Sequence, residues 1–469
     1  MRTTTEHRGI RTPSTRGFRR TFASLSIVLA LLVAGAAALG YSQGPRLAGA
    51  QVDVAGVVAQ GGQQLRLFAN QQVARVSVDQ LTIVPDAAAT VSTSGDVIAV
   101  EFTQPLNYNT TYSVRVAGVT SRYLDSPSTL EYRFTTAGAD VYYLSRSVAS
   151  DSGPVDQIVR SAIDTAGRDV VYSAARIQDF AVFDRAVAVV TINDDGNNAL
   201  ALVGGSGEPD PIDLPGTGTV DLVRGSAGTG YLGFTFTDSG PTTDRGYSDT
   251  LFTVDLGGAR AVAPVAGLDG TPLQVLDWQF LPGTSRIVAQ NSDESVIMAD
   301  PAEPDSVIPL GQYTEFGPVS TDGATLVVGT AAGLRALTIA TGKSEPLLSS
   351  PLDGAVPHVS AAEVLAGGRT LQQVAVFDDD TGRFASSLTV DDGQTSRRIF
   401  ATLDKRGSIE GFRVSPNGEF VAVETVPNVS KSVPDDYPRN GRSQSVSTSF
   451  VSIYTGELVK TVEGFDVSW

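Results

Sequence analysis

The stretch TIATGKSEPL at residues 338–347 decides the fold of this chain, because three further stretches repeat its pattern. They are FTVDLGGARAV (252–262), LTVDDGQTSRRI (388–399) and SIYTGELVKTV (452–462). In each stretch an alternating β-branched or apolar run leads into a Gly turn with Thr or Asp beside it, and a second short run follows. Gly supplies a positive φ without steric cost, and Asp or Thr bonds the nearby backbone, so the pattern predicts a β-hairpin.

A second pattern recurs ahead of these hairpins, as in WQFLPGTSRIVAQ (278–290) and FRVSPNGEFVAVET (412–425). An aromatic or apolar landmark residue comes first, then Pro, Asp or Asn with Gly, and then a β run. The landmarks stand at positions 180, 222, 278, 316, 362 and 412, with separations between 38 and 56 residues. Such a period, with four strands per repeat, predicts the blades of a β-propeller over residues 140–469. The Gly hairpins then join the third and fourth strands of a blade. A stack of ordinary β-sandwiches is the alternative, but it would not place the same hairpin sequence at the same position of each repeat.

The SPNGEFVAV segment resembles the turn of Tol-type and WD-repeat-like propellers, a resemblance that implies a fold and no function. The chain ends in VEGFDVSW, where Trp469 stands at a seventh landmark. The strands that should accompany it occur instead at 140–146, 156–162 and 168–174. We therefore expect a seven-bladed propeller whose first blade is closed by the C-terminal strand, which removes the exposed sheet edges.

Residues 51–137 predict a separate β-sandwich, because seven short runs alternate with turns and show no helical period. These runs are VDVAGVV, QQLRLFA, VARVSV, LTIVP, VIAVEF, YSVRVAGV and LEYRFTT. The region resembles the S-layer-type bacterial Ig-like domain at Pro85, Phe102, Pro105 to Leu106, Thr111 to Tyr112 and Phe134 to Thr136. The family's Asp-x-x-Gly is replaced by YLDSPSTL, which keeps Asp125 and loses the Gly. The resemblance implies a spacer or adhesive module without catalytic residues.

The N-terminal segment predicts the compartment. Residues 22–41 carry no charge, and a helix of that length spans about 30 Å, the thickness of the hydrocarbon core of a bilayer. The Arg-rich tail at 1–21 predicts a cytoplasmic N-terminus, with the bulk of the chain extracytoplasmic behind a linker at 42–50. A cleaved signal peptide is the alternative, but AGA at 48–50 lies far past the apolar stretch. We therefore favour a single-pass signal anchor in the cell membrane.

The composition excludes several classes of function. The net charge is −17, and because the first 20 residues carry +5, the remainder carries −22. An acidic body repels phosphate backbones, so nucleic acid is not an expected partner. The chain has no Cys, which excludes disulfides and thiolate chemistry, and its two His are His7 and His358.

No catalytic, cofactor-binding or metal-binding residues are predicted. No G-x-S-x-G motif accompanies His358, so a catalytic triad is not predicted. His358 fits a structural position at the rim of the propeller instead. NDDGNN (193–198) and FDDDTGR (377–383) lack the spaced ligands of a calcium loop and fit hairpin turns. Trp278 and Trp469 fit wedge positions in the core better than sugar-stacking positions. No phosphate-binding or dinucleotide-binding loop occurs.

The candidate binding residues lie in the two longest interruptions, at 237–250 and 427–449. Both are expected to join the second and third strands of their blades, which places them at one mouth of the channel. Solvated, disordered loops are the alternative for such Pro- and Ser-rich tracts. The cationic and aromatic residues that would bind an anionic glycan, peptide or protein are Arg245, Tyr247, Lys431, Tyr437, Arg439 and Arg442.

The sequence thus predicts a membrane-anchored extracytoplasmic binding or scaffold protein. An Ig-like spacer would present a propeller that recognises a cell-wall glycan or a protein partner. The alternative is an extracytoplasmic hydrolase or lyase that acts on wall polysaccharide through carboxylates. A receptor is a third hypothesis, although the short tail leaves little room for a signalling domain.

Overall fold

The computed structural model describes residues 22–32, 44–148, 153–183, 185–205, 207–226, 228–240, 246–378, 383–402 and 406–469. Of the predicted membrane-spanning segment, residues 22–32 form helix α1, and residues 33–41 lie outside the described residues, as does the tail at 1–21. Within the described ranges, no helix combines the length and the apolar character that a membrane crossing requires.

The chain forms two compact units, and each is assembled from several segments. The first comprises Met1–Val52, Gln64–Glu101 and Tyr112–Phe134, and the second comprises Asp53–Gln63, Phe102–Thr111 and Thr135–Trp469. This division differs from the single boundary near residue 138 that the sequence predicts. The reason lies in hydrogen bonds within the second unit. The Leu106 N–H donates to the Val57 carbonyl at 2.7 Å, and the Tyr108 N–H donates to Glu419 at 2.9 Å.

Seven strands in residues 47–135 form two sheets. The first has the order β1–β2–β5–β4, with β1 at Leu47–Gln51, β2 at Gln63–Ala69, β4 at Ala89–Ser94 and β5 at Val97–Phe102. The second has the order β3–β6–β7, with β3 at Leu81–Val84, β6 at Thr111–Val119 and β7 at Ser128–Thr135. Helix α2 spans Gly56–Ala59, and a 3-10 turn spans Val78–Gln80.

Two of the predicted strands in this region are wrong. In VDVAGVV, the Asp53 carboxylate accepts hydrogen bonds from the N–H groups of Ala55 and Gly56, and this Asx-type turn leads into α2. In VARVSV, only Val73 joins a strand, through an isolated bridge to Ser121. The structure uses β1 and β4 instead, and β1 lies largely within the predicted linker at 42–50, where it pairs with β2.

Within the described residues, seven four-stranded antiparallel sheets follow one another from residue 140. Six of them use consecutive strands, in the orders β11–β14, β15–β18, β19–β22, β23–β26, β27–β30 and β31–β34. The strands of the first three are β11 Ile177–Val182, β12 Val187–Ile192, β13 Asn198–Val203, β14 Pro209–Ile212, β15 Gly218–Ser226, β16 Tyr231–Asp238, β17 Thr250–Asp255, β18 Val262–Pro264, β19 Val275–Phe280, β20 Ile287–Asn291, β21 Ser295–Ala299 and β22 Val307–Gln312.

The other three sheets contain β23 Glu315–Val319, β24 Thr325–Thr330, β25 Gly333–Thr338, β26 Lys343–Pro346, β27 His358–Val364, β28 Thr370–Asp378, β29 Arg383–Asp391, β30 Ser396–Ala401, β31 Ser408–Val414, β32 Phe420–Val426, β33 Ser447–Ser452 and β34 Leu458–Val462. Two 3-10 turns, Ala366–Gly368 and Val429–Lys431, lie between strands. From β11 to β27, the first strand of each sheet contacts the first strand of the next. Antiparallel four-stranded sheets repeated in this way are the arrangement of a β-propeller, which confirms the all-β prediction.

The remaining sheet joins the end of the chain to the start of this region. Its order is β10–β9–β8–β35, with β8 at Asp140–Val148, β9 at Val155–Ala162, β10 at Asp169–Ala174 and β35 at Phe465–Ser468. Strand β35 pairs antiparallel with β8, so that Phe465 is opposite Leu144 and Ser468 is opposite Tyr142. The predicted pairing of the C-terminal strand is confirmed.

The repeated hairpins also lie at their predicted place, between the third and fourth strands of four sheets. Gly342, Gly393 and Gly456 have φ values of 66°, 86° and 77°, as the turns require. In FTVDLGGARAV the positive φ falls on Arg260 instead, at 53°.

The six landmark residues at positions 180, 222, 278, 316, 362 and 412 each lie in the first strand of a sheet, whereas Trp469 directly follows β35. Trp278 has no exposed surface and packs with Leu251 of the preceding sheet and Ile287 of its own. Trp469 packs edge-on against Phe450, with 5.8 Å between ring centroids. Trp278 is therefore a core residue, as predicted, and Trp469 is half-buried and packs against the core.

Candidate functional site

The two longest interruptions lie where the sequence places them, between the second and third strands of their sheets. Residues 239–249 connect β16 to β17, and residues 427–446, here called the strap, connect β32 to β33. Sheets related by rotation about one axis send equivalent connections out at the same end. Residues 241–245, and with them Arg245, lie outside the described residues.

The strap is folded on itself by its own hydrogen bonds. The Asp435 N–H donates to the Arg442 carbonyl at 2.9 Å, and the Gln444 N–H donates to the Val433 carbonyl at 2.8 Å. The Arg442 N–H donates in return to the Asp435 carboxylate at 3.0 Å. The two arms of the strap therefore run antiparallel, with residues 436–441 at the tip.

Arg146, near the end of β8, holds one side of this tip. Its guanidinium donates to the Asp435 carboxylate at 2.6 Å and to the Asn440 carbonyl at 3.0 Å. It also donates to the carbonyls of Ile177 and Gln178 in β11, at 3.3 and 2.9 Å. The side chains of Arg146 and Asp435 are only 4% and 5% exposed. Removing one partner of a buried ion pair costs several kcal/mol, because the other charge is left buried and unpaired. The pair between Arg146 and Asp435 therefore holds the strap in position.

Tyr437 is inserted between two arginines of neighbouring sheets. Its ring centroid lies 3.5 Å from the Arg146 guanidinium carbon and 4.5 Å from that of Arg176. Its hydroxyl donates to the Asp156 carboxylate, which also accepts the Ile177 N–H at 2.8 Å. Burial, together with this hydrogen bond to Asp156, raises the pKa of Tyr437 to about 12, so the hydroxyl keeps its proton and acts as a donor.

Arg439 reaches across to a different sheet and to the other long connection. Its guanidinium lies 3.2 Å from the Asp221 carboxylate of β15 and 3.6 Å from the Asp249 carboxylate. Its side chain is one-third exposed, so the charge faces both protein carboxylates and solvent. The two predicted binding loops therefore meet through this residue.

Arg442 faces carboxylates of the sheet that carries the strap and of β35. Its Nη2 donates to Asp466 at 3.2 Å, and its Nε lies 3.9 Å from Glu424 and has no hydrogen-bond partner in the described part of the chain. Burial, and then the neighbouring charge of Asp466, raises the pKa of Glu424. The Asp466 N–H donates to Glu424 at 2.7 Å. This cation thus neutralises a pair of carboxylates that would otherwise repel each other.

Asp179 of β11 is a further carboxylate at this end of the sheets. Burial, and then the charge of Asp466, raises its pKa to about 7, although the N–H groups of Val223 and Phe180 oppose that shift. A carboxyl group that titrates near neutrality is chemically capable of accepting or releasing a proton. No group of three or more His, Asp or Glu side chains suited to a metal ion occurs among the described residues.

The other predicted residues do not join this cluster. Tyr247 is half-buried and packs edge-on against Phe252, with 5.0 Å between ring centroids, so it belongs to the core of its sheet. Lys431 is exposed at the start of the strap. His358 is exposed at the first position of β27, which agrees with a rim position.

A cavity of about 550 Å³ opens beside the strap. Its walls combine apolar, hydroxyl and charged groups, from Glu410, Val426, Val429, Ser432, Pro434, Gly441, Arg442, Ser443 and Val446. Among the predicted residues, Arg442 is the one that lines this cavity.

Sequence reasoning missed Arg146, Arg176 and Asp156, the residues that receive the tip of the strap. They lie in β8, just before β11 and in β9, more than 250 positions from the strap. No local motif marks them, since their proximity to the strap arises only when the last strand pairs with β8.

No protein-family model matches the chain, and no curated protein matches it. Solved structures similar to it include the β-propeller domain of the trilobed protease from Pyrococcus furiosus. That structure has 13% identity and a TM-score of 0.44, and the alignment covers 66% of this chain and 93% of the other.

TolB from Acinetobacter baumannii has 11% identity and a TM-score of 0.35, with 84% of this chain and 86% of the other covered. The acylaminoacyl peptidase from Pyrococcus horikoshii has 10% identity and a TM-score of 0.43, with 76% and 51% covered. With TM-scores below 0.5, these likenesses carry no function to this chain, and the propeller assignment depends on the sheet order described above.

Proposed function

We propose that this chain is an extracytoplasmic binding protein, anchored in the cell membrane by residues 22–41. In this proposal the seven sheets from residue 140 close into a seven-bladed ring, and an Ig-like unit at 51–137 acts as a spacer. The end of the ring that carries the strap recognises a cell-wall glycan or a protein partner.

The observation that carries the proposal is the meeting of the two long connections at Arg439, 3.2 Å from Asp221 and 3.6 Å from Asp249. A preorganised surface loses less conformational entropy on binding than two independent mobile loops would. The cavity beside the strap adds a concave, mixed polar and apolar surface to the same end. Its volume of about 550 Å³ falls within the usual range for ligand sites.

The test is a binding experiment with the full chain and purified cell-wall glycan. Charge reversal at Arg439 and Arg442 should abolish binding. It removes two cations and replaces them with negatively charged side chains, which the neighbouring carboxylates repel. The matched control is Arg133→Glu, since Arg133 is 71% exposed on the first unit. Binding that is unchanged by the double reversal would remove these residues from any recognition role.

The same samples should be assayed for release of soluble sugar fragments. Turnover by the wild type that is lost in Asp179→Asn would favour a carboxylate-dependent hydrolase or lyase instead. This substitution is informative because burial raises the pKa of Asp179 to about 7, and Asn cannot take part in proton transfer. Binding without turnover supports the proposed function.

A further inference from the structure

We propose that Arg146, Arg176 and Asp156 form a receptor for a partner peptide with an acidic residue followed two positions later by tyrosine. In this structure the chain's own Asp435 and Tyr437 occupy that receptor. The inference goes beyond the proposed function, because it concerns the surface that the strap covers and not the surface that the docked strap presents.

Arg146, the part of the receptor that binds the acidic residue, is held partly by groups outside the strap. Two of the hydrogen bonds of Arg146 go to the carbonyls of Ile177 and Gln178, which orient the guanidinium. Its other two hydrogen bonds, to the Asp435 carboxylate at 2.6 Å and to the Asn440 carbonyl at 3.0 Å, are made to the strap. A partner that supplies a carboxylate and a carbonyl at these positions would satisfy the same donors.

The aromatic half is a slot between two guanidinium groups. The planes of Arg146 and Arg176 accept an aromatic ring, a contact that favours Tyr, Trp or Phe over aliphatic side chains. The base of the slot is Asp156, which is 2% exposed and is held by the N–H groups of Ser147 and Ile177 at 3.0 and 2.8 Å. Because a tyrosine hydroxyl adds a third hydrogen bond to this buried carboxylate and phenylalanine cannot, the slot selects tyrosine over phenylalanine.

The residue between the two anchors is also specified. Asp436 has a φ of 58°, and its carbonyl accepts a hydrogen bond from Arg176 at 3.1 Å. Backbone in the left-handed region favours Gly, Asn or Asp. The receptor therefore fits Asp followed by Gly, Asn or Asp and then Tyr, presented at a turn.

The strap competes with any such partner because it is part of the same chain. A tethered segment acts at an effective concentration in the millimolar range, so the wild type should bind a free peptide weakly. Weakening the strap should expose the receptor and strengthen peptide binding by about a hundredfold.

The experiment uses the full chain and a fluorescent peptide with the strap's own sequence, SVPDDYPR, residues 432–439. The receptor is freed by the double substitution Asp435→Ser and Tyr437→Ser, and near-ultraviolet circular dichroism verifies that the variant is folded. We expect the variant to bind the peptide about a hundredfold more tightly than the wild type. A peptide with Phe in place of Tyr should bind at least about tenfold more weakly.

Adding Arg146→Ala to the freed variant should abolish peptide binding. The control is Arg160→Ala, because Arg160 pairs with Asp140 at a half-exposed position on the sheet. The proposal is wrong if the wild type and the variant bind the peptide with equal affinity, or if a folded variant does not bind it. The contact between the strap and Arg146 would then have only a structural role.

If the double variant does not fold, Tyr437→Phe replaces it. That substitution removes only the hydroxyl bond to Asp156, and the peptide should still bind it more tightly than the wild type. Unchanged affinity would overturn the receptor. Glycan binding measured on the same proteins separates the two ideas, since loss of the receptor with retained glycan binding leaves the proposed function standing.

Discussion

The pairing of β35 with β8 leads to a sharp prediction for Phe465. Its side chain is 2% exposed and packs with Leu144, Ile158 and Ile177. We expect Phe465→Ala to destabilise the protein strongly, because the substitution leaves a cavity between the first two sheets and removes the apolar contacts that hold the last strand.

The magnitude follows from the contacts of the ring. Truncation of a buried Phe to Ala costs about 3–5 kcal/mol. The guanidinium carbons of Arg146 and Arg442 lie 4.9 and 5.3 Å from the ring centroid, and each such contact contributes about 0.5–1 kcal/mol. Phe465→Leu keeps most of the apolar volume and loses these contacts, so it should cost about 1–2 kcal/mol.

Deletion of Gly464–Trp469 should have a larger effect than either substitution. It also removes Val467, which is 1% exposed, and the hydrogen bond from Thr448 to the Gly464 carbonyl at 2.8 Å. The combined loss approaches the total stability of about 5–15 kcal/mol that is typical of folded proteins. We therefore expect the truncated protein to lose its cooperative unfolding transition.

The assay is equilibrium unfolding in urea, monitored by circular dichroism. Leu458→Ala is the control, because Leu458 is 56% exposed on β34 and its truncation should cost less than about 0.5 kcal/mol. If Phe465→Ala lowers the free energy of unfolding by less than about 1 kcal/mol, closure by β35 contributes little and the reasoning fails. A truncated chain that melts within a few degrees of the intact one would lead to the same conclusion.

Two further substitutions test burial inside the sheets. Glu363→Gln should raise the free energy of unfolding at about pH 8 and change it little near about pH 4.5, because burial raises the pKa of Glu363 to about 8. Between these pH values the folded protein keeps a proton on Glu363 that the unfolded chain releases, so the contribution of Glu363 to the free energy of unfolding falls by about 1.4 kcal/mol per pH unit. Urea titrations would contradict this if the difference in stability between Glu363→Gln and the wild type did not grow with pH. Gly233→Ala should cost about 1–3 kcal/mol or more in thermal or urea unfolding, because the added Cβ would overlap with Cη2 of Trp278. Gly411→Ala is the control, because no atom of the described residues lies within 4 Å of the Cβ that it would add.

The repeated phrases were sufficient to predict the propeller because they are local. A Gly turn and a landmark fix the position of a strand within its sheet, and both depend on nearby residues alone. The strap was located for the same reason, as an insertion between known strands. Its partners were not predictable, since Arg146 and Asp156 meet Tyr437 only through the closure by β35.

The N-terminal sheets were predicted less well, and the errors have physical causes. VARVSV has the alternation of a strand, but its N–H groups bond irregularly, Val73 to the Gly95 carbonyl and Val76 to the Thr93 hydroxyl. Strand β4, with the sequence ATVSTS, has mostly small Ser and Thr side chains, and Val91 alone does not mark it as a strand. Tertiary hydrogen bonds therefore outweighed the local pattern in both places.

The pairing of Ser468 with Tyr142 has a consequence for biosynthesis. These partners are separated by more than 300 residues, so β8 has no neighbour on that side until the ribosome has added β35. An open strand of this kind can pair with other molecules while it waits. We therefore expect slowed translation of the segment between β8 and β35 to promote aggregation of the nascent protein.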